Sequence, residues 1–385
     1  MRIRGSLPVL LLPLALGLSA CGGKSDDPVV LLQQERDPGQ RRAAVIALLD
    51  RGPGDRKLWG RLLADGDPEI ARMTASVLRQ GAERPDWRDI PDSLPADLLE
   101  AAARKEPDVR VEAILALGRL RADDSLFPPK LSGALADPDP RVRRAALQAF
   151  RSFGPATSGM DLAPLAAILK GDPALSLDAA LALAACGDGS PAVLDRLAAA
   201  AEDAKDPASA LQAVRAMATL GPRAGGAAAR LAPRLAGAPE LLARDLADAL
   251  GQFGLPDPAV VAALGKAVDR REEPVRVSAA LSLVRLGKPS PKGPAILDAG
   301  LRSRDALVPI RAAEGLALLG PNGWDLLRRE TASGNAEAAL ALARLASAGQ
   351  RIPADTMNVL LTASKEGPLD VRRAAHRALA AAKSR

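Results

Sequence analysis

Histidine and cysteine, which often supply the bases, nucleophiles and metal ligands of enzymes, are almost missing from this sequence. His376 is the only histidine, and Cys21 and Cys186 are the only cysteines among 385 residues. A metal site built from histidine needs more of them, and a Ser-His-Asp triad would have only His376 as its base. The 46 acidic residues form no recognisable motif. We therefore expect no metal, no cofactor and no catalytic residue, while an acid/base pair without a sequence signature stays open as an alternative.

Cys21 follows a short apolar segment at the start of the chain. Arg2 and Arg4 precede an apolar stretch over residues 7–18, and two small residues stand directly before the cysteine. Twelve apolar residues are too few to span a bilayer, which needs about 20. The three-part pattern is typical of a secretory signal.

The residues Leu-Ser-Ala-Cys at 18–21 resemble the lipobox of bacterial lipoproteins. This resemblance implies that residues 1–20 are a signal peptide, that Cys21 carries a thioether-linked lipid, and that residues 21–29 form a tether. The membrane partner would then be reached through the lipid on Cys21. The implied location is the bacterial cell envelope, facing the periplasm, and Gly22 after the cysteine favours the outer over the inner membrane. An ordinary cleaved signal with a chance cysteine is the alternative.

Charge and composition exclude further classes of ligand. The formal net charge is only +6, and basic and acidic residues are interspersed, so we expect no nucleic-acid binding. Aromatic residues make up 2% of the chain, and tyrosine is absent, which leaves little material for stacking sites. Apolar residues make up 48%, with many of the strong helix formers Ala and Leu, so the chain should fold into packed helices.

A pattern with a period of about 33 residues runs through the rest of the chain. Each unit has a turn rich in Asp, Glu and Pro, an apolar or equivalent residue, often Arg, and then an amphipathic run. Six of the ten spacings between units are 33 or 34 residues. Numbered from that residue, the eleven starts are Gln40, Ile70, Val109, Val142, Leu175, Ser209, Leu242, Val275, Val308, Gly334 and Val371.

Two columns of residues support this register. The residue eight positions after each start is large and apolar in all eleven units, and the residue four positions after the start is Ala in nine. Positions four apart share one helix face, so we expect this face to be buried. Gly twelve positions after seven starts predicts helix ends, and Asp before Pro predicts helix caps. The predicted caps are Asp37, Asp67, Asp137, Asp172 and Asp206.

Shorter helical patterns between these runs complete two antiparallel helices per unit. The pattern Asp-Pro-x-Val-Arg-x-x-Ala-Ala-x-x-Leu resembles HEAT repeats, in particular the short HEAT-like type of phycobilisome lyases. The resemblance implies an all-α fold, an α-solenoid of about eleven HEAT-like helix pairs over residues 30–385, in which neighbours bury each other's apolar faces. The His-Glu pairs of the HEAT-type iron enzyme deoxyhypusine hydroxylase are absent, so that activity is not expected.

Four of the ten spacings depart from the period, and two of these units carry specific predictions. The 39-residue unit has an insertion at residues 82–93 that contains Trp87, and such an insertion on a solenoid can bind a partner. Trp87 is therefore a candidate partner-binding residue, and the alternative is that it fills a gap in imperfect stacking. The 26-residue unit before Gly334 predicts that part of a helix is lost. Cys186 falls in a column of Leu and Phe, so we expect it in the core.

Arginine directly follows the start of five units, and stacking would align these side chains. They form either a structural ladder, each pairing with an Asp of its own or the next turn, or a binding surface for an acidic partner. The candidate partner-binding residues of this column are Arg41, Arg110, Arg143, Arg276 and Arg372.

The sequence favours a non-catalytic, lipid-anchored scaffold that mediates protein–protein interaction at the bacterial envelope. The identity of the protein partner is not encoded in any motif. Two alternatives stay open, an assembly factor or chaperone-like module for an envelope complex, and an enzyme with an unrecognised acid/base site.

Overall fold

The computed structural model is a row of helix pairs. In the residues it describes, all regular structure is helical and no β-strand occurs. The predicted signal segment, Cys21 and all of the tether before Pro28 lie outside these residues. The described residues are 28–34, 37–50, 56–84, 87, 94–120, 127–347 and 352–383.

The second helix of each pair forms one continuous row, in which every even-numbered helix packs against the next even-numbered helix. These helices correspond to the eleven predicted units. They are α2 (Pro38–Ala47), α4 (Pro68–Gly81), α6 (Pro107–Leu120), α8 (Pro140–Phe153), α10 (Ser176–Ala185), α12 (Pro207–Leu220), α14 (Glu240–Gln252), α16 (Glu273–Arg285), α18 (Val308–Leu318), α20 (Ala336–Ser347) and α22 (Leu369–Lys383).

The first helices of the pairs are shorter on average and pack against the even-numbered row. Short 3-10 turns extend α7 and flank α13. The first helices are α1 (Pro28–Gln34), α3 (Arg56–Leu63), α5 (Leu94–Ala101), α7 (Phe127–Leu131), α9 (Ala163–Gly171), α11 (Pro191–Glu202), α13 (Ala228–Leu231), α15 (Pro258–Ala267), α17 (Gly293–Gly300), α19 (Pro321–Ala332) and α21 (Ala354–Glu366).

Burial confirms the register of the repeat. The column eight positions after each start is buried in all eleven units, with Leu283 2% exposed and Leu379, the most exposed, at 6%. The column four positions after each start is buried throughout as well, including its exceptions Thr74 and Leu246. Alanine in this column has no bulk beyond Cβ, so neighbouring backbones approach closely while the larger residues fill the layer.

The ends of the helices follow the predicted chemistry in most units. Gly287 has a φ of 67°, its N–H donates to Val284 O (3.0 Å), and Lys288 N–H donates to Leu283 O (2.9 Å). These two bonds are the Schellman arrangement, which places a residue of positive φ after the helix and thereby favours glycine. Gly52, which was also predicted to end a helix, lies outside the described residues.

Three local predictions were wrong. Asp172 does not cap α10, whose N-cap residue is Leu175 and has no side-chain cap hydrogen bond. The carboxylate that caps α8 belongs to Asp139, which accepts from Arg141 N–H at 2.8 Å, while Asp137 stands two residues earlier and accepts from Asp139 N–H. The 26-residue unit retains a first helix, α19, of 12 residues. Its shortness comes from the connection to α18, because only two residues separate these helices.

Replacing Leu283 with Asp tests the packing of the row. An unpaired charge in this layer should reduce the free energy of unfolding by more than about 3 kcal/mol, because it removes a buried apolar side chain and desolvates a carboxylate. Leu318→Asp is the matched control, since Leu318 is 52% exposed. Urea unfolding of both variants is the measurement, and equal stability of the two would contradict the register.

Candidate partner-binding surface

Arg110 joins two successive helix pairs. Its Nε and Nη2 atoms each lie 2.8 Å from a carboxylate oxygen of Asp137, and its Nη1 donates to the carbonyls of Arg104 (3.0 Å) and Lys105 (2.7 Å). Both charged side chains are only 12% exposed. The two parallel bonds use the planar fork of the guanidinium, the strongest geometry for this pair. Arg110 of α6 is therefore fixed to the turn that precedes α8.

Two more arginines of the predicted column make the same connection. Arg143 donates to Asp172 through Nη2 (3.0 Å) and to the carbonyl of Asp137 through Nη1 (3.0 Å). Arg41 forms an ion pair with Asp65. In each case the aspartate lies in the turn before the next even-numbered helix. These contacts match the structural ladder, one of the two interpretations of the column.

Arg276 and Arg372 lack the ladder contact. The turn next to Arg276 has Ser303 at the position of Asp65 and Asp137, and the Ser303 hydroxyl donates to Glu273 (2.7 Å). Arg276 Nε is buried and has no hydrogen-bond partner within the described residues. Arg372 is exposed on α22 and forms no ion pair in the part of the chain that the structure describes. For these two residues, binding to a partner stays a prediction.

At two junctions the arginine comes from the later helix pair and binds the earlier one, an arrangement that the sequence analysis did not predict. At these junctions the residue after the start is Ala71 or Ala243, and an arginine in the next turn donates to carbonyls of the preceding turn. Arg104 donates to the carbonyls of Leu63 (3.0 Å) and Asp65 (2.8 Å). Arg270 donates in the same way to two carbonyls of the turn before α14, at 2.9 and 3.1 Å. The sequence contains a signal for this arrangement, because both arginines stand five residues before a start, the position that Asp65 and Asp137 occupy in other units.

Trp87 is buried rather than exposed. Its side chain is 2% exposed, its Nε1 donates to Leu49 O (3.1 Å), and its ring lies against Trp59 with centroids 5.7 Å apart. Gly81 permits this position, because a Cβ there would come within 2.2 Å of the Trp87 ring. This ring fills a gap between pairs and does not present an exposed anchor to a partner.

A partly exposed surface remains on the even-numbered helices, on the side that carries residues three, six, nine and ten positions after each start, although some of these positions, such as Leu181 and Leu281, are buried. We call it the even-helix face. Arg151 of α8 donates to Gln212 Oε1 of α12 (3.3 Å), and Arg311 of α18 donates to Asp248 Oδ2 of α14 (2.7 Å). Each pair crosses an intervening helix, so the helices that it joins lie about 16–20 Å apart. Side chains bridge that distance when the row bends toward them, which makes the even-helix face concave at these points.

Two carboxylates lie beneath the concave face. Asp245 and Asp248 of α14 are each 8% exposed. Asp245 accepts from Arg215 Nε and Arg244 Nη2, both at 2.7 Å. Burial raises the pKa of Asp248, and the nearby Arg311 guanidinium opposes this rise. Since both acids are held by arginine, they form a structural network rather than a free acid/base pair.

A basic pocket lies on the same face at the C-terminal ends of α4, α6 and α8. Its volume is about 380 Å³, and Arg79, Arg119 and Arg151 contribute to its lining together with Leu115 and Gln148. None of the described residues that line it is acidic. The sequence analysis did not single out these arginines, because they fall nine or ten positions after a start and not directly after it.

The residues that could carry covalent chemistry are not assembled into a site. Cys186 packs against the core, with its Sγ 3.9 Å from Phe150 O, and burial raises the pKa of its thiol. His376 lies exposed on α22. Among the described residues, no group of three or more His, Cys, Asp and Glu side chains is placed to hold a metal ion. No described helix combines the length and apolar character needed to cross a bilayer.

Comparisons with known proteins agree with this architecture. Residues 56–151 and 95–173 match the family model described as HEAT repeats. No curated protein matches the chain. The solved Kap95:Nup1 complex aligns with a TM-score of 0.53 at 14% identity, covering 91% of this chain and 52% of that chain. The X-ray structure of YibA from Escherichia coli aligns with a TM-score of 0.47 at 17% identity, covering 69% of this chain and 93% of that one.

The alignment with Kap95 concerns the fold alone at this level of identity. The present chain spans about half the length of the Kap95 chain that it matches.

A double-mutant cycle on Arg110 and Asp137 tests the ladder. Because both groups are largely buried and bonded twice, we expect a coupling of about 1–3 kcal/mol in the free energy of unfolding. The control cycle uses Arg141 and Asp108, which pair across the same two helices but are 58% and 61% exposed. Exposed pairs contribute about 0–1 kcal/mol. The coupling free energies are measured by urea unfolding. Equal values in both cycles would contradict a structural role for the ladder.

Glu272 supplies a test in acid. Hydrogen bonds from Arg270, followed by a backbone bond, lower the pKa of Glu272 from 4.5 to about 2. The stabilisation from this glutamate is therefore present above pH 4.5 and is lost as the pH falls toward 2. Glu272→Gln should lose less stability than the wild type over this interval. Urea unfolding as a function of pH is the measurement, with the exposed Glu240→Gln as control. A Glu272→Gln profile that parallels the wild type would contradict the assignment.

Proposed function

We propose that this chain, a HEAT-repeat α-solenoid, is a non-catalytic scaffold whose even-helix face binds a protein partner at the bacterial envelope. The observation that carries the proposal is the pair of hydrogen bonds, Arg151–Gln212 and Arg311–Asp248, that cross an intervening helix of this face and hold its polar side chains in place. A solenoid of rigid, stacked pairs offers an extended surface whose shape is set before the partner arrives. Preformed surfaces bind with a smaller loss of conformational freedom.

The fold supports protein binding as the class of function. The solved structure of Kap95 that shares this fold is a complex with Nup1. The chemistry of the chain points the same way, since the buried acids Asp245 and Asp248 are bound by arginines. The thiol of Cys186 is weakened as a nucleophile by its raised pKa.

The envelope location rests on the N-terminal sequence. We propose that a lipid on Cys21 holds the scaffold to the membrane, with the repeats facing the periplasm and the outer membrane as the favoured site. The support is the positively charged start, the apolar stretch of 12 residues and the lipobox-like Leu-Ser-Ala-Cys. Stable anchoring requires more than one acyl chain, as in the lipoprotein family that this motif resembles.

Site-specific photo-crosslinking in intact cells tests the binding face. A photoreactive residue in place of Gln252, which is exposed at the end of α14, should capture a recurrent partner. The same residue in place of Lys266, which is exposed on α15 of the odd-numbered row, is the matched control. Mass spectrometry identifies what is captured. Equal capture from both positions, or none from Gln252, would contradict a scaffold that acts through the even-helix face.

The anchor is tested separately with Cys21→Ser. Because the thioether needs the cysteine sulfur, this variant should remain uncleaved and unlipidated or become soluble, and the wild type should stay with the membrane after an alkaline wash. Fractionation followed by immunoblotting is the measurement. Partition of the variant into washed membranes at the wild-type level would contradict the proposed lipid anchor and would not affect the proposal for the binding face.

A further inference from the structure

The basic pocket on the even-helix face has a charge that the described residues neutralise only in part. Arg79 donates to Glu112 at 3.0 Å and is thereby occupied. Within the described residues Arg119 pairs with Glu83 at 3.7 Å, and both side chains are more than half exposed. That separation is longer than a hydrogen bond, so the pair contributes little and is easily exchanged.

Arg151 is the least neutralised member of the pocket. Its hydrogen bond within the described residues goes to the neutral amide of Gln212, at 3.3 Å. Among the described residues, the guanidinium of Arg151 therefore has no carboxylate partner, and it lies beside Arg119 in a pocket to whose lining these residues contribute no acid. A guanidinium fork binds a carboxylate or a phosphate through two parallel hydrogen bonds, and a protein partner offers carboxylates on Asp and Glu.

From this charge and its placement we infer that the pocket binds an acidic, Asp/Glu-bearing segment of the protein partner. The inference rests on the proposed scaffold function and identifies the chemistry of its ligand. Leu115 supplies the apolar part of the lining, against which the aliphatic stem of a glutamate can pack, while Gln148 adds an amide beside the arginines.

The repeat sets the spacing of the acids in this segment. The three arginines come from α4, α6 and α8, and packed neighbouring helices lie about 8–10 Å apart. A chain in the polyproline II conformation advances about 3.1 Å per residue with three residues per turn, so residues three apart lie on one side and span about one helix spacing. A segment that crosses the row in this conformation would therefore place an acidic residue at every third position, one facing Arg119 of α6 and the next facing Arg151 of α8.

A peptide titration tests the ligand chemistry. The probe is a fluorescein-labelled peptide with glutamate at every third position among serine and glycine, and its control has glutamine in place of glutamate. The purified chain without its first 20 residues is titrated at low ionic strength, with anisotropy as the readout. We expect binding of the glutamate peptide only, which weakens as salt is added because the contacts are exposed charges.

Charge reversal locates the binding. The double variant Arg119→Glu/Arg151→Glu should bind the glutamate peptide at least ~10-fold more weakly, since attraction becomes repulsion at both of the arginines that are open to the peptide. The matched control is Arg271→Glu/Arg304→Glu, which makes the same charge change at two exposed positions outside the pocket and should bind as the wild type does. Thermal unfolding shows whether both double variants are folded. If the charge reversal unfolds the pocket variant, Arg119→Gln/Arg151→Gln takes its place.

Two results would overturn the inference. One is equal loss of peptide binding in the pocket double and the control double. The other is binding of inorganic phosphate alone, without affinity for the glutamate peptide, which would make the pocket a small-anion site. The proposed scaffold function is tested separately, because crosslinking from Gln252 in cells does not depend on this pocket. Partner capture that persists in the pocket double would reject the acidic segment and retain the scaffold.

Discussion

No helix pair of this chain can bury its apolar side alone, and the packing of each even-numbered helix against the next resolves this. The contact is built from a small residue four positions after each start and a large one eight positions after it, both buried throughout the row. Full burial of a leucine contributes about 1.5–3 kcal/mol, and only a neighbouring repeat provides it here. The free energy of unfolding is therefore approximately a sum of terms from the repeats and from their junctions, and each junction stabilises both of the repeats that it joins.

Polar chemistry at the junctions completes this packing. The turns between pairs leave backbone carbonyls and carboxylates close to the apolar layer, where they need hydrogen-bond partners. A guanidinium meets this need at several junctions, from Arg110 pointing forward or from Arg104 and Arg270 pointing back. At the junction between α18 and α20 the donor is Asn335, whose amide lies 2.9 Å from Leu301 O. Different residues thus satisfy the same requirement.

Because the ladder occupies most of the arginines next to the starts, the surface left for a partner is a different one. The even-helix face has its own charge pattern, with a basic pocket over α4 to α8 and buried acids in α14. Contacts such as Arg311–Asp248 link helices two repeats apart and so resist changes in local curvature. A partner would meet a surface whose shape is fixed by the same contacts that stabilise the fold.

The sequence alone determined the all-helical class, the number of units and the register, because these follow from the period of about 33 residues and from helix-spaced columns such as Leu283 and its equivalents. It also predicted most helix ends, since capping depends on residues a few positions apart. Only the tertiary structure decided which arginines are occupied, that Trp87 is buried against Trp59, and that Arg151, Arg119 and Arg79 share one pocket. These outcomes depend on how far neighbouring repeats bend and approach, a distance that no local pattern of residues specifies.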